Sequence, residues 1–294
     1  MPVIDYRHVL KGLTVQEACR RQVIHLSPQA SLEQAVRYTI KYKVNAILIV
    51  DDQGAGLGVV SKTDLMGAYY AGLPISTSCE AVMVGPPLFC QPQDSLDAAL
   101  DTMRTHKVHR LYVQGDAPFQ ALGVLAYPDI VGLLYRYCNR CERRVRLASR
   151  AAEPPPDPFL VREVMTAEIH ARQEHDSLQE VMEGLAAYRF GAVLIQNAAA
   201  LPVGVVSKTD LVVAYKHGIP TAAPAQRVMS SPVQACDGRD PLVTALKKMI
   251  IADVHRLFVY QDSSAKLVGV LSLSDVARFR SGTCRACLVS RIKI

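Results

Sequence analysis

The stretch GVVSKTDL runs from Gly58 to Leu65 and returns letter for letter from Gly204 to Leu211, 146 positions later. Sliding the 294-residue chain by that distance exposes a duplication. VHRL recurs at Val108–Leu111 and Val254–Leu257, and AYYAGLP at 68–74 matches AYKHGIP at 214–220. Cys90, Cys138 and Cys141 find counterparts in Cys236, Cys284 and Cys287. Between the copies stands AAEPPPDPF, whose three consecutive prolines suit neither a helix interior nor a central strand. The chain therefore reads as two units, 1–150 and 159–294, joined by a Pro-rich linker at 151–158.

Each unit is itself a doublet. GVVSKTDL at 58 is echoed by GVLAYPDI at 123, and GVVSKTDL at 204 by GVLSLSDV at 269. The four repeats span about 13–74, 79–147, 160–220 and 225–290. In each, a short extended piece (VIHLSP, LFCQPQ, EIHARQ, PVQACD) precedes an amphipathic helix that opens on Ser31, Asp94, Asp176 or Asp240. Two β-branched strands and a second helix follow, so every repeat reads β-α-β-β-α, an α+β fold. A unit of roughly sixty residues is small for a core of its own, so the repeats should pair.

Half of the chain is apolar and a fifth is charged, which is globular composition. No apolar run reaches the roughly 20 residues that would cross a bilayer. The opening MPVIDYRHVLKGLTV lacks the basic start and apolar core of a signal peptide, so the expectation is a soluble, cytoplasmic protein without membrane partners. The net charge of +6 points to something anionic. Its single dense run, Arg136–Arg150, reads most simply as a solvated helix end. A nucleic-acid patch would want several such runs with interleaved aromatics, and the chain has one run and no Trp, so the composition speaks against nucleic acid.

The chemistry of SKTD follows from its place after a strand. A helix N-terminus there offers backbone N–H groups and a dipole that favours phosphate. Ser61 and Ser207 add hydroxyl donors, with Lys62, Thr63, Lys208 and Thr209 beside them. Asp64 and Asp210, in the first turn, could each accept from the paired hydroxyls of a ribose. The competing reading is that Ser and Asp merely cap the helix. The fourth repeat keeps Ser272 and Asp275, whereas the second keeps Asp129 but has Ala126 in place of the serine. VHRL supplies the complement: Arg110 and Arg256 can hold a phosphate bidentately, with His109 and His255 alongside. The odd repeats carry Asn45-Ala46 and Gly191-Ala192 at those positions. One repeat of each pair thus offers Ser and Asp while its partner offers His and Arg.

Of the eight cysteines, four form C-x-x-C pairs, Cys138/Cys141 and Cys284/Cys287, at matching ends of the two units. If the units meet there, four thiolates could hold Zn or Fe; free thiols or disulfides are the plainer alternative.

The G-h-h-[ST]-x-x-D pattern, found in order in all four repeats with Ala126 as its one departure and with its preceding β-α-β, resembles the cystathionine β-synthase (CBS) domain family. VHRL is also similar to strands of the γ subunit of AMP-activated protein kinase. The resemblance implies four CBS motifs forming two Bateman modules packed as a disc, with clefts that take AMP, ADP or ATP, or in some members S-adenosylmethionine. It assigns the ribose to the motif aspartate. No Walker-type loop or nucleophile motif is present, so the expectation is a non-enzymatic sensor acting on an effector protein in trans or through a homodimer. The rival readings are a nucleic-acid-linked regulator and a metal- or redox-organised structural protein.

Overall fold

The computed structural model describes residues 12–133, 135, 159–188 and 190–280. The first repeat begins with a short helix, α1 (Val15–Ala18), then runs β1 (His25–Leu26), α2 (Leu32–Lys41), β2 (Ala46–Val50), β3 (Gly56–Ser61) and α3 (Lys62–Tyr70). The second supplies β4 (Phe89–Cys90), α4 (Leu96–Thr105), β5 (Arg110–Gln114), β6 (Ala121–Ala126) and α5 (127–133). The third supplies β7 (Ala171–Gln173), α6 (Leu178–Ala187), β8 (Ala192–Gln196), β9 (Pro202–Ser207) and α7 (Lys208–Lys216). The fourth supplies β10 (Ala235–Asp237), α8 (Leu242–Ile251), β11 (Arg256–Gln261), β12 (Ser263–Ser272) and α9 (Leu273–Arg280). The β-α-β-β-α succession holds four times, giving four three-stranded sheets.

Local chemistry accounts for the elements. The side chain of Ser31 accepts from the Gln34 N–H at 3.2 Å and starts α2, whose buried face is Leu32, Ala35, Val36 and Thr39. In the second and third repeats the cap is the serine after the expected aspartate. Ser95 accepts from Ala98 N and Ser177 from Glu180 N. Asp94 and Asp176 instead accept from Gln91 N and Gln173 N, closing the turn before the helix. In the fourth repeat Pro241 occupies the cap position with no side-chain bond. Each first strand runs parallel to the second and each second antiparallel to the third, as in His25↔Leu48 and Ala46↔Ser61.

The two repeats of a unit are interlaced. Arg20, before β1 of the first repeat, pairs with Val124 of β6, while Val84, before β4 of the second, pairs with Val59 of β3. Thr166↔Val270 and Ser230↔Val205 repeat the exchange in the second unit. The crossing segments explain the motif glycines. A Cβ at Gly123 would lie 2.7 Å from the Arg20 carbonyl oxygen, and one at Gly204 would lie 2.6 Å from Met229 Sδ.

The cores cross between units. One cluster joins the first and third repeats through Leu32, Ile47 and Leu65 with Leu178, Val206 and Leu211. The other joins the second and fourth through Leu96, Leu111 and Ile130 with Leu242, Leu257 and Val276. A small third cluster, Leu48, Tyr112 and Val124, lies between the first two sheets. Each repeat thus borders its own partner and one repeat of the other unit, and the four close into a disc. At the contact of α3 with α7, Tyr69 and Tyr215 stack with centroids 5.2 Å apart. Tyr69 donates to the Ile219 carbonyl, and Tyr215 donates to the Leu73 carbonyl at 2.7 Å.

Candidate functional site

The serine and aspartate of the motif form a reciprocal cap. Ser61 Oγ accepts from the N–H groups of Thr63 and Asp64 at 3.2 and 3.3 Å and donates to Asp64 Oδ2 at 2.6 Å. The Ser61 N–H donates to the same oxygen at 2.7 Å. Ser207 with Asp210, and Ser272 with Asp275, repeat the arrangement. Capping therefore consumes one carboxylate oxygen and leaves the other. Asp64 Oδ1 and Asp275 Oδ1 accept no hydrogen bond among the described residues, and Asp210 Oδ1 accepts one from Ser230 Oγ at 2.8 Å. Capping and ligand reading do not exclude one another here.

The second repeat differs. Asp129 Oδ2 accepts from the Ala126 N–H at 2.9 Å, and Oδ1 is paired with Arg20 Nε at 2.7 Å. The Asp129 side chain is only 8% exposed.

The lysines and threonines meet across the α3–α7 contact. Lys62 Nζ donates to Thr209 Oγ1, and Lys208 Nζ donates to Thr63 Oγ1, both at 2.8 Å. Burial, then Arg110, pulls the Lys62 pKa down to about 8 against the opposing pull of Asp210. Lys208 is lowered by burial and by Arg256, with Asp64 opposing.

The arginines reach from the even repeats into the odd ones. Arg110 Nη1 donates to the Ala46 carbonyl at 2.8 Å. The Arg256 guanidinium fills the space where a Cβ on Gly191 would lie. Burial lowers the pKa of both, that of Arg256 to about 10. His109 sits edge-on to Tyr127 at 5.6 Å. Burial, with Lys208, Arg278, Arg110 and Arg256 around it, drives its pKa down to about 4. His255 is lowered by burial and then chiefly by Lys62 and Arg256. The two SKTD motifs and the two VHRL motifs therefore form one cationic group where the four repeats meet. Its members repel one another in the absence of an anion, and a phosphate would relieve that repulsion.

Every expected Ser, Lys, Thr, Asp, His and Arg of the two intact motif pairs joins this group or its helix caps. Ser272 and Asp275 form the third complete cap. Arg20, Arg278 and Ser230 join them without any repeated motif that would have marked them, while Tyr127 within GVLAYPDI and Gly191 opposite the VHRL position join them without a predicted role. Cys138, Cys141, Cys284 and Cys287 lie outside the described residues. Among the described residues no cluster of three or more His, Cys, Asp or Glu side chains could hold a metal ion. No described helix is long and apolar enough to cross a membrane.

The sequence profile of the CBS domain matches residues 15–71, 79–136 and 225–282. The γ subunit of 5'-AMP-activated protein kinase from Dictyostelium discoideum is 26% identical over 204 residues, 64% of this chain and 34% of that protein. The uncharacterized protein MK0525 from Methanopyrus kandleri is 25% identical over 118 residues, 40% of this chain and 60% of that one. This chain thus spans about a third of the length of the first relative and three fifths of the second. The crystal structure of protein MJ1225 from Methanocaldococcus jannaschii superposes with a TM-score of 0.75 at 13% identity, covering 91% of this chain and 99% of that one. With the profile matching more than half of the residues, and the same fold standing a fourth time between the second and third matches, the chain belongs to the CBS domain family.

Proposed function

We propose that this protein is a non-catalytic regulator that holds adenine nucleotides (AMP, ADP or ATP) in clefts between its CBS motifs and passes their occupancy to a partner protein in trans. One observation carries the reading. In each unit a helix-capping aspartate with a carboxylate oxygen turned away from the cap stands in the odd repeat that also receives an arginine from its neighbour: Asp64 with Arg110, and Asp210 with Arg256. A carboxylate suits the ribose hydroxyls and a guanidinium suits the phosphate, so one nucleotide would use both. Similarity to a kinase γ subunit agrees with a regulatory role. The crowded cations favour phosphorylated ligands over S-adenosylmethionine, whose sulfonium adds another positive charge.

Calorimetry with adenosine, AMP, ADP, ATP and S-adenosylmethionine tests the reading. The phosphorylated compounds should bind more tightly than adenosine and S-adenosylmethionine. Asp64→Asn and Asp210→Asn should each weaken AMP by about 1–3 kcal/mol at its own site. Equal affinity for adenosine and AMP, or full binding by both variants, would show that these residues only cap helices.

A further inference from the structure

We propose that Arg20 keeps the second repeat shut, so that the first unit takes one nucleotide where the second can take two. The inference rests on the nucleotide reading above and adds which repeats are available.

The four motif aspartates are held alike through one oxygen and differently through the other. Oδ2 always accepts from the backbone N–H three residues earlier, at Ser61, Ala126, Ser207 and Ser272. Oδ1 has no acceptor contact at Asp64 and Asp275 among the described residues. At Asp210 it accepts from the Ser230 hydroxyl, which a ribose hydroxyl could replace like for like. At Asp129 alone it meets a cation, Arg20 Nε, at 2.7 Å. Seating a ribose on Asp129 would break that pair at a carboxylate almost removed from water, leaving the ligand to replace an ionic contact with a neutral one.

The second unit shows the same place without the plug. The Arg20 backbone exchanges hydrogen bonds with Val124 at 2.9 and 2.8 Å, and Thr166 does so with Val270 at the same two distances. Thr166 therefore occupies the counterpart of position 20, and its short side chain makes no bond to Asp275. Asp275 still acts on Arg256, as Asp129 acts on Arg110, so the arginine of the VHRL motif stays in range of its aspartate in both units. The difference lies in the crossing segment, not in the motif. Ala126 reinforces it, because this repeat lacks the hydroxyl that Ser61, Ser207 and Ser272 provide.

The test counts AMP bound per chain by calorimetry and native mass spectrometry. Arg20→Thr/Ala126→Ser, which copies the second unit at both positions, should bind one more AMP than the wild type. Adding Asp129→Asn should remove the extra site and leave the others. Asp129→Asn alone should not change the wild-type count. Arg20→Gln/Ala126→Ser gives the same readout should the threonine variant fail to fold. A folded double variant that gains no AMP, or a wild-type count that drops with Asp129→Asn alone, would overturn the role of Arg20 while the nucleotide reading stands. Failure of the wild type to bind AMP at all would overturn both.

Discussion

Lys62 of the first repeat donates to Thr209 of the third at 2.8 Å, and the reciprocal pair, Lys208 to Thr63, has the same length. Two copies of SKTDL face each other about a pseudo-twofold axis, so each must supply both the donor and the acceptor. That is the condition of an isologous contact, and it gives a physical reason for an octapeptide repeated without change. Tyr69 and Tyr215 obey the same exchange with Ile219 and Leu73.

The lysine clasp sits among repelling cations, and magnitudes decide its sign. A hydrogen bond to an exposed hydroxyl contributes about 1 kcal/mol. Keeping Lys62 charged with its pKa near 8 costs up to about 3 kcal/mol at neutral pH. Lys62→Met should therefore leave the melting temperature of the ligand-free protein unchanged or raise it, while weakening AMP more than adenosine. A lower melting temperature without ligand would mean that the clasp is chiefly structural.

His109 makes stability depend on pH in a definite direction. Its folded pKa of about 4 lies below the unfolded value near 6.5, so the unfolded chain binds the extra proton between those limits. Stability from this group should fall as pH drops from 6.5 toward 4, by about 1 kcal/mol once solvent screening at this exposed residue is allowed for. His109→Asn should flatten that part of the curve in denaturant titrations. A phosphate among Lys208, Arg278, Arg110 and Arg256 would raise the same pKa, so AMP binding near pH 6 should take up protons, measurable as a buffer-dependent enthalpy.

Gly191→Ala places a methyl group where the Arg256 guanidinium lies. The expected cost is about 1–3 kcal/mol of stability, with weaker AMP binding in the second unit. Asn45→Ala, at the equivalent place in the first unit, already has its Cβ and should change stability by less than about 0.5 kcal/mol. Equal losses in the two variants, read by urea denaturation, would count against the asymmetry.

Tyr69→Phe and Tyr215→Phe each delete one hydroxyl bond across the contact of α3 with α7 and should each cost about 1 kcal/mol. The rings stack, so the double variant should depart from the sum. Strict additivity in thermal melts would indicate that the two bonds act independently of the stack.

Much of this protein is readable from its residues in order. The duplication shows as identity at an offset of 146, and the β-α-β-β-α succession and the Ser–Asp caps depend on spacings of two to four residues, where helix periodicity and capping act. Ser61 and Asp64 meet because they share one helical turn. Tertiary structure decided the rest. The first repeat shares a core with the third and the second with the fourth, because only that closure buries faces that a repeat of roughly sixty residues cannot cover alone. Lys62 and Thr209 meet through that closure, and no local pattern announces it. Arg20 closes on Asp129 because the crossing segment is threaded onto β6, more than a hundred residues along the chain, and nothing in CRRQ distinguishes it from an ordinary basic turn. Short-range order follows from neighbouring side chains; the choice of which repeats and charges face one another follows from the packing of the whole chain.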